Sequence, residues 1–272
     1  MQMQFLHGDC LEIMPTLKSK SIDCFVCDLP YGCLIGGAGK EKQKRQIKNV
    51  ANNSRKECPP SDRSNGIFSC DWDVKIDLEK FWIEVKRLAK NDHTPVIMFC
   101  NTRFGNELIN SNPSWFRYDL VWNKMNGVGF LCANKQPLRS HELIYVFSKK
   151  GAYYKRINIE GDFKKNVIGG RTKSSVYNTT LPNITIDNTG KRCVKSVVDI
   201  ANKRGKGNHP TQKPAELYEW LLRRYCPAEG CVLDPTAGSF TSCFVAEKLG
   251  LTAIGIEKDK TFYDKAKGLI NQ

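Results

Sequence analysis

The sequence predicts an α/β domain built on a mostly parallel sheet with helices on both faces. Three observations lead there. Short apolar runs at Ile22–Cys27, Val96–Cys100 and Cys231–Leu233 are continuous rather than alternating, as in strands buried on both faces. Amphipathic helical segments separate them, and strands alternating with helices favour parallel pairing through crossovers. The 272 residues, 40% of them hydrophobic, suffice for one large domain or one domain with a small module.

Each element can be justified in turn. Met3–Leu6 opens as a strand closed by Gly8 and Asp9, and Leu11–Leu17 carries apolar residues at helical spacing. The strand Ile22–Cys27 stops at Asp28, Leu29, Pro30, Tyr31 and Gly32. Residues 33–70 then lose periodicity, with a glycine cluster, a basic run and Pro-Pro, and are expected to form a long mobile loop. Order returns at Asp77–Ala89, where Phe81, Trp82, Val85 and Leu88 share a helical face that should enter the core. Val96–Cys100, Asp119–Trp122 and Glu142–Phe147 read as strands, and Thr102–Leu108 as a short helix. Beyond Gly151 the chain turns basic and rich in Gly, Asn and Thr, with short strands expected at Asn183–Ile186 and Lys195–Ile200. Pro214 starts a helix over Ala215–Tyr225. A strand at Cys231–Leu233, a helix at Thr241–Leu249 closed by Gly250, a strand at Thr252–Ile256 and a helix at Thr261–Ile270 complete the chain. The expected organisation is a main domain of residues 1–150 and 208–272, with 151–207 inserted into it.

Charge points to a polyanion. Of the net +14, residues 33–65 carry eight Lys/Arg against three Asp/Glu, and residues 151–213 carry thirteen against four. The rest of the chain is balanced, so the excess sits in the two least regular segments, where it can neutralise phosphates. No apolar stretch approaches a membrane span, and Leu143–Phe147 fits a buried strand instead. The N-terminus lacks an apolar signal segment, so a cytoplasmic protein is expected. Twelve cysteines lie mostly in apolar segments, as small hydrophobes do. Cys24 and Cys27 form a CxxC, but a strand sends residues three apart to opposite faces, so no zinc pair is expected there.

The sharpest unit is the stretch CVLDPTAGSFTSCFVAEKLGLTAIGIEKD. Asp234 ends one strand, Gly238 permits a tight turn and close ligand approach, and Ser239 and Thr241 stand at a helix start that favours a carboxylate. Glu257 ends the next strand, 19 residues after Gly238, where an acid can accept hydrogen bonds from ribose hydroxyls. NAD, FAD and S-adenosylmethionine are all compatible with such a unit. The loop lacks GxGxxG and GK[ST], which disfavours a pyrophosphate ligand.

Asp28-Leu29-Pro30-Tyr31 resembles the DPPY motif of amino-methyltransferases. HPTQKPAELYEWLL, VLDPTAGSFTS and AIGIEKD resemble the cofactor motifs of the same enzymes, and WNKMNG with HELIYVFSK is similar to them too. The catalytic motif precedes the cofactor loop, an order that resembles the permuted beta class of DNA amino-methyltransferases, which modify adenine N6 or cytosine N4. The resemblance implies a Rossmann-like, S-adenosylmethionine-dependent methyltransferase fold, with residues 151–207 as target-recognition region and 33–70 as a basic loop closing over double-stranded DNA. It implies catalysis by Asp28, Pro30 and Tyr31. It also implies cofactor contacts from Asp234, Gly238, Ser239 and Glu257, with Glu257 on the ribose, and from Thr211, Gln212 and Lys213 at the methionine end. Asp9 resembles the family acid at the cofactor's adenine amine, with a helix N-cap as the alternative role. A homodimer and a cognate restriction endonuclease are further partners that the family suggests.

The chemistry agrees with this assignment. An exocyclic base amine is a poor nucleophile because its lone pair is delocalised into the ring. The Asp28 carboxylate and the Pro30 carbonyl can accept its two hydrogens, and Tyr31 can stack on a flipped base. Cytosine C5 chemistry needs a cysteine nucleophile, usually after proline, and none of the twelve prolines precedes a cysteine. In the family an initial Ser is commoner for cytosine N4, so Asp28 favours adenine. The alternatives are cytosine N4 methylation, methylation of RNA or protein, and a catalytically silent DNA-binding role. Two positions depart from the family: Leu29 replaces the usual Pro, and Phe240 stands where relatives carry Gly, a change expected to alter the cofactor pocket.

Overall fold

The computed structural model describes residues 3–32, 75–130, 133–161, 190–202 and 212–270. The loop expected over 33–70, the strand expected at Asn183–Ile186, and Thr211 lie outside these residues. The chain divides into two compact units, Met1–Tyr154 with Val197–Gln272, and Lys155–Ser196. In the smaller unit, β6 (Ile159–Glu160) and β7 (Lys191–Arg192) pair antiparallel.

The larger unit is built on an eight-stranded sheet. Its strands are β1 (Met3–His7), β2 (Cys24–Cys27), β3 (Val96–Cys100), β4 (Phe116–Val128), β5 (Arg139–Phe147), β8 (Val197–Asp199), β9 (Cys231–Asp234) and β10 (Thr252–Glu257). Their spatial order is β1-β10-β9-β2-β3-β5-β4-β8. β1, β10, β9, β2 and β3 run parallel, while β5 returns antiparallel to both β3 and β4. β8, within the span 151–207, pairs parallel with β4 and so belongs to the main sheet.

Alternation along the central strands divides the core into two layers. Cys24 and Val26, Ile97 and Phe99, and Ile144 and Val146 face one way, where α4 (Ala215–Tyr225) and α5 (Thr241–Lys248) contribute Leu217, Leu221, Tyr225 and Ala246. Phe25 and Cys27, Met98 and Cys100, and Tyr145 and Phe147 face the other way. There α1 (Cys10–Ile13) and α3 (Thr102–Ser111) bring Cys10 and Phe104, and α2 (Leu78–Leu88) brings Phe81, Trp82, Val85 and Leu88. Cys24 and Cys27 therefore do sit on opposite faces. α6 (Lys260–Ile270) completes the first layer with Ala266. Among the described residues no helix is long and apolar enough to cross a membrane.

Two elements are longer than their apolar patterns. β4 extends from Phe116 to Val128 and β5 starts at Arg139, because the two form an antiparallel pair whose outer part is exposed and carries no apolar signal. α3 runs on to Ser111, whose hydroxyl accepts from Trp82 Nε1 at 2.8 Å and donates to the Leu108 carbonyl.

Phe240, the departure in the cofactor loop, has its side chain fully buried in the core. Its ring stacks on Phe5 with centroids 4.1 Å apart, while its backbone adopts a left-handed φ of 57° at the N-cap of α5. Gly255 on β10 makes room for it: a Cβ there would lie 2.6 Å from the Phe240 ring and 2.7 Å from Cys243 Sγ. Gly255→Ala is expected to destabilise the fold by about 1–3 kcal/mol through overpacking. Thermal unfolding checks this, and an unchanged Tm would mean that Phe240 repacks without strain.

Candidate active site

The parallel strands deliver acids to one edge of the sheet. Asp9 follows the end of β1, Glu257 ends β10, Asp234 ends β9, and Asp28 follows the end of β2, and these four strands are neighbours in that order. Adjacent strands lie about 4.8 Å apart, so the row spans roughly 14 Å. The chain leaves β2 for β3 in one direction and leaves β9 for β10 in the other. The sheet's switch point thus falls between β2 and β9, where open α/β sheets bind ligands. Asp28 and Asp234 flank it.

Asp234 anchors the loop. Its Oδ1 accepts from the Thr236 N–H at 3.1 Å, and its Oδ2 accepts from the Ser242 hydroxyl. Burial pushes the carboxyl up to about 7, against the opposing effect of these two hydrogen bonds. Gly238 has φ 53°, and its N–H donates to Glu257 Oε2 at 2.7 Å, while Asp259 N–H donates to Oε1 at 2.7 Å. Each Glu257 oxygen keeps a second lone pair for another donor. Burial raises the Glu257 carboxyl above its ordinary value. The Ser239 and Thr241 hydroxyls are 2.9 Å apart, and Gln212 Nε2 donates to Thr241 at 2.9 Å. Asp9 caps α1 by accepting from Leu11 N–H at 2.9 Å and pairs with Lys258 Nζ at 2.9 Å. Gly238, Ser239, Glu257 and Gln212 are therefore brought together at one loop, and Asp9 stands at the end of the strand next to Glu257.

The loop fits a polar, phosphate-free cofactor. It offers a carboxylate with spare acceptor capacity and small hydroxyl residues. The Thr236 hydroxyl in this loop is buried and has no hydrogen-bond partner among the described residues.

The tetrapeptide Asp28-Leu29-Pro30-Tyr31 lies in a cluster of charges. Asp28 Oδ2 receives Lys213 Nζ at 2.6 Å, and Asp28 Oδ1 lies 2.9 Å from the Tyr31 hydroxyl. That hydroxyl is also 2.7 Å from Glu142 Oε1, so its one proton is shared between two carboxylates. Lys213 reaches Glu142 Oε1 at 3.2 Å, and Lys124 pairs with Glu142 Oε2 at 2.7 Å. Two carboxylates and two ammonium groups thus cancel. The Asp28 side chain is 22% exposed, against 10% for Glu142 and 7% for Lys213, so Asp28 is the carboxylate of the cluster open to a substrate.

The neighbours set the protonation states. Burial opposes the Glu142 charge, but Lys213 and Lys124 overcome it and hold the carboxyl down to about 2 from its ordinary 4.5. Burial likewise opposes the Lys213 charge, and Asp28 and Glu142 more than offset it, raising the ammonium above the ordinary lysine value. Burial, then Asp28 and Glu142, push the Tyr31 hydroxyl well up, so it stays a proton donor. The Tyr31 ring stacks on Phe104 at 5.1 Å, and half-buried Pro30 stands between the two polar residues in sequence. Leu29 is buried in the core beside Phe104 and Cys27, which accounts for an apolar residue at this position.

Glu142 and Lys124 belong to this site although the sequence reading gave them no role. Glu142 lies 111 residues from Tyr31. The available signal was a lone acid at the head of the run Leu143–Phe147, since an acid is rarely buried without a partner.

Fold and site define a Rossmann-like α/β protein with a ligand site at the carboxyl edge of its sheet. The sequence matches the family N6_N4_Mtase, described as DNA methylase, over residues 22–268, and the chain belongs to this family. It is 26% identical to the type II methyltransferase M.HinfI of Haemophilus influenzae, over 96% of this chain and 66% of that protein. It is 21% identical to M2.LlaDCHI of Lactococcus lactis subsp. cremoris, over 98% of this chain and 88% of that protein. Among solved structures, M1.HpyAVI in complex with SAM (S-adenosylmethionine) aligns with a TM-score of 0.56 at 18% identity, covering 98% of this chain and all of that one. The cytosine-N4-specific PvuII DNA methyltransferase aligns with a TM-score of 0.58 at 15% identity, covering 98% and 86%. These structural likenesses establish the fold.

Glu142 supplies a pH test. Its carboxyl binds fewer protons in the folded than in the unfolded chain. Its stabilising contribution is therefore complete above about pH 4.5 and is lost as the pH falls toward 2. Across that window the unfolding free energy of the wild type should fall more steeply than that of Glu142→Gln. Parallel curves in denaturant unfolding would contradict the ion cluster.

Proposed function

We propose that this protein methylates the N6 amine of adenine in double-stranded DNA, using S-adenosylmethionine as donor. The observation that carries the reading is the Asp28 carboxylate. It is partly open, is held at both oxygens, and sits at the switch point one strand from the cofactor loop.

The cofactor supplies an electrophilic methyl group on a sulfonium. Glu257 takes the ribose, Gly238 and Ser239 let the loop approach, and Asp234 acts from behind by fixing the loop through Thr236 and Ser242. Gln212, tied to Thr241, and Thr211 before it serve the methionine end. Asp9 stands toward the adenine moiety.

The base is flipped out of the helix, which gives the enzyme access to an amine otherwise held in the stack. Phe104 stacks on one face of the Tyr31 ring, and the base is assigned to the other. Asp28 and the Pro30 carbonyl accept the amine hydrogens, which draws the lone pair out of conjugation and aims it at the methyl carbon. As the nitrogen–methyl bond formed, the methyl–sulfur bond would break, the cofactor would leave as a neutral thioether, and Asp28 would be placed to take the proton from the nitrogen. Positioning and electrostatics supply the acceleration, and no covalent enzyme adduct is required.

The basic segments serve the polyanion. Residues 151–207 act in target recognition, and 33–70 adds phosphate contacts. Asp28 at the first position of the tetrapeptide favours adenine over cytosine. A homodimer and a partner endonuclease fit an enzyme of the type II kind.

The test is transfer of labelled methyl groups to unmethylated duplex DNA, followed by nucleoside mass spectrometry. N6-methyladenine from the wild type and at least about a 1000-fold loss in Asp28→Ala are expected, a cost in line with removal of a group that acts on the reacting atom. N4-methylcytosine would overturn the choice of base. Label in RNA or protein alone, or none, would overturn the DNA substrate.

A further inference from the structure

Lys213 sits where it can serve Asp28, and the resemblance had assigned it to the cofactor. An ammonium has three donors. One meets Asp28 Oδ2 at 2.6 Å, one meets Glu142 Oε1 at 3.2 Å, and the nitrogen lies 5.1 Å from the centre of the Phe99 ring, within cation–π range. The residue is 7% exposed. Its donors are therefore taken up inside the protein. Gln212, one residue earlier, turns to Thr241 at the start of α5. This dipeptide reaches the cofactor loop with one side chain and the catalytic carboxylate with the next.

Glu142 stands behind this contact. It binds Lys213 and Lys124 and shares the Tyr31 proton, so both groups that hold Asp28 are themselves held by Glu142. We infer that Lys213 and Glu142 are positioning residues that fix the Asp28 carboxylate for the base amine and make no contact with the cofactor. The inference rests on the methyl-transfer reading above. Its physical basis is that a buried ion cluster contributes little net stability after desolvation, yet it fixes geometry. A carboxylate rotated by a single torsion no longer meets the amine, and a misplacement of about 1 Å costs about 100-fold in rate.

The full chain tests this through two separate readouts, the Kd of S-adenosylmethionine by calorimetry and kcat on unmethylated duplex DNA. In Lys213→Met, kcat should fall by about 100-fold while the cofactor Kd stays within about threefold of wild type. Lys213→Arg, which retains the charge, should recover at least about tenfold of the loss. Glu142→Gln leaves Lys213 in place and should lower kcat about tenfold at unchanged Kd, and it carries the same decision if Lys213→Met does not fold. A cofactor Kd raised about tenfold with kcat retained would return Lys213 to the cofactor and overturn the inference. So would a Lys213→Met chain as active as an active wild type. A wild type that binds S-adenosylmethionine but methylates no DNA would instead overturn the methyl-transfer reading itself.

Discussion

A carboxylate that must accept hydrogen bonds from a neutral amine has to be charged, oriented and partly open at once. Burial favours orientation but penalises charge, and the desolvation cost is met only where opposite charges and donors are close. In the proposed reaction Asp28 meets the three demands through its neighbours. Lys213 supplies the opposite charge at 2.6 Å, the Tyr31 hydroxyl holds the other oxygen, and Glu142 with Lys124 balances the cluster. The remaining features of the site can be understood as consequences of this arrangement. Tyr31 must stay protonated to donate, and burial and the two carboxylates ensure it. Glu142 must stay ionised to anchor Lys213, and the two lysines ensure that.

The sheet makes the cluster possible. Lys213 and Asp28 are 185 residues apart, yet β2 and β9 are neighbours, and α4 precedes β9 in the chain. Chain order places the Asp28–Tyr31 tetrapeptide early and the Gly238 loop late, but parallel pairing puts their strands side by side. The antiparallel turn-back of β5 against β3 then brings Glu142, at the foot of the buried run Leu143–Phe147, toward the same edge. Pairing of β4 with β5 sets Trp122 opposite Glu142, with Lys124 two residues further on. Three segments remote in sequence thus converge at one edge of the sheet.

Much of this was legible in the sequence. Continuous apolar runs located β2, β3 and β9, and strand ends placed Asp28, Gly238 and Glu257 after or at the ends of β2, β9 and β10, because turn chemistry and strand ends are local properties. The role expected of Asp28 came from the resemblance of its tetrapeptide. The amphipathic face of Asp77–Ala89 entered the core as read. What stayed hidden depends on pairing. Glu142 and Lys124 acquire their roles from antiparallel register, which no local pattern encodes. Lys213 was legible as part of a motif, but its ion pair with Asp28 was not, since the two lie 185 residues apart. Asp234 was expected at the cofactor from the resemblance, and the sequence did not show that its buried carboxyl group holds the Thr236 N–H and the Ser242 hydroxyl of the same loop. Phe240 stands in a glycine's place by keeping the left-handed backbone and sending its ring into the core, an outcome that required Gly255 opposite it.

The central claim is that Asp28 and Lys213 form one energetic unit. A double-mutant cycle on unfolding free energy, with Asp28→Asn, Lys213→Met and the pair combined, measures it most directly. Asp28→Asn leaves Lys213 with Glu142 alone, and Lys213→Met leaves Asp28 without its ammonium, whereas the double change removes the pair. The account predicts that the double variant is destabilised less than the sum of the singles, with a coupling of about 1–3 kcal/mol. Additivity within about 0.3 kcal/mol would contradict it, because the two groups would then not interact in the folded protein.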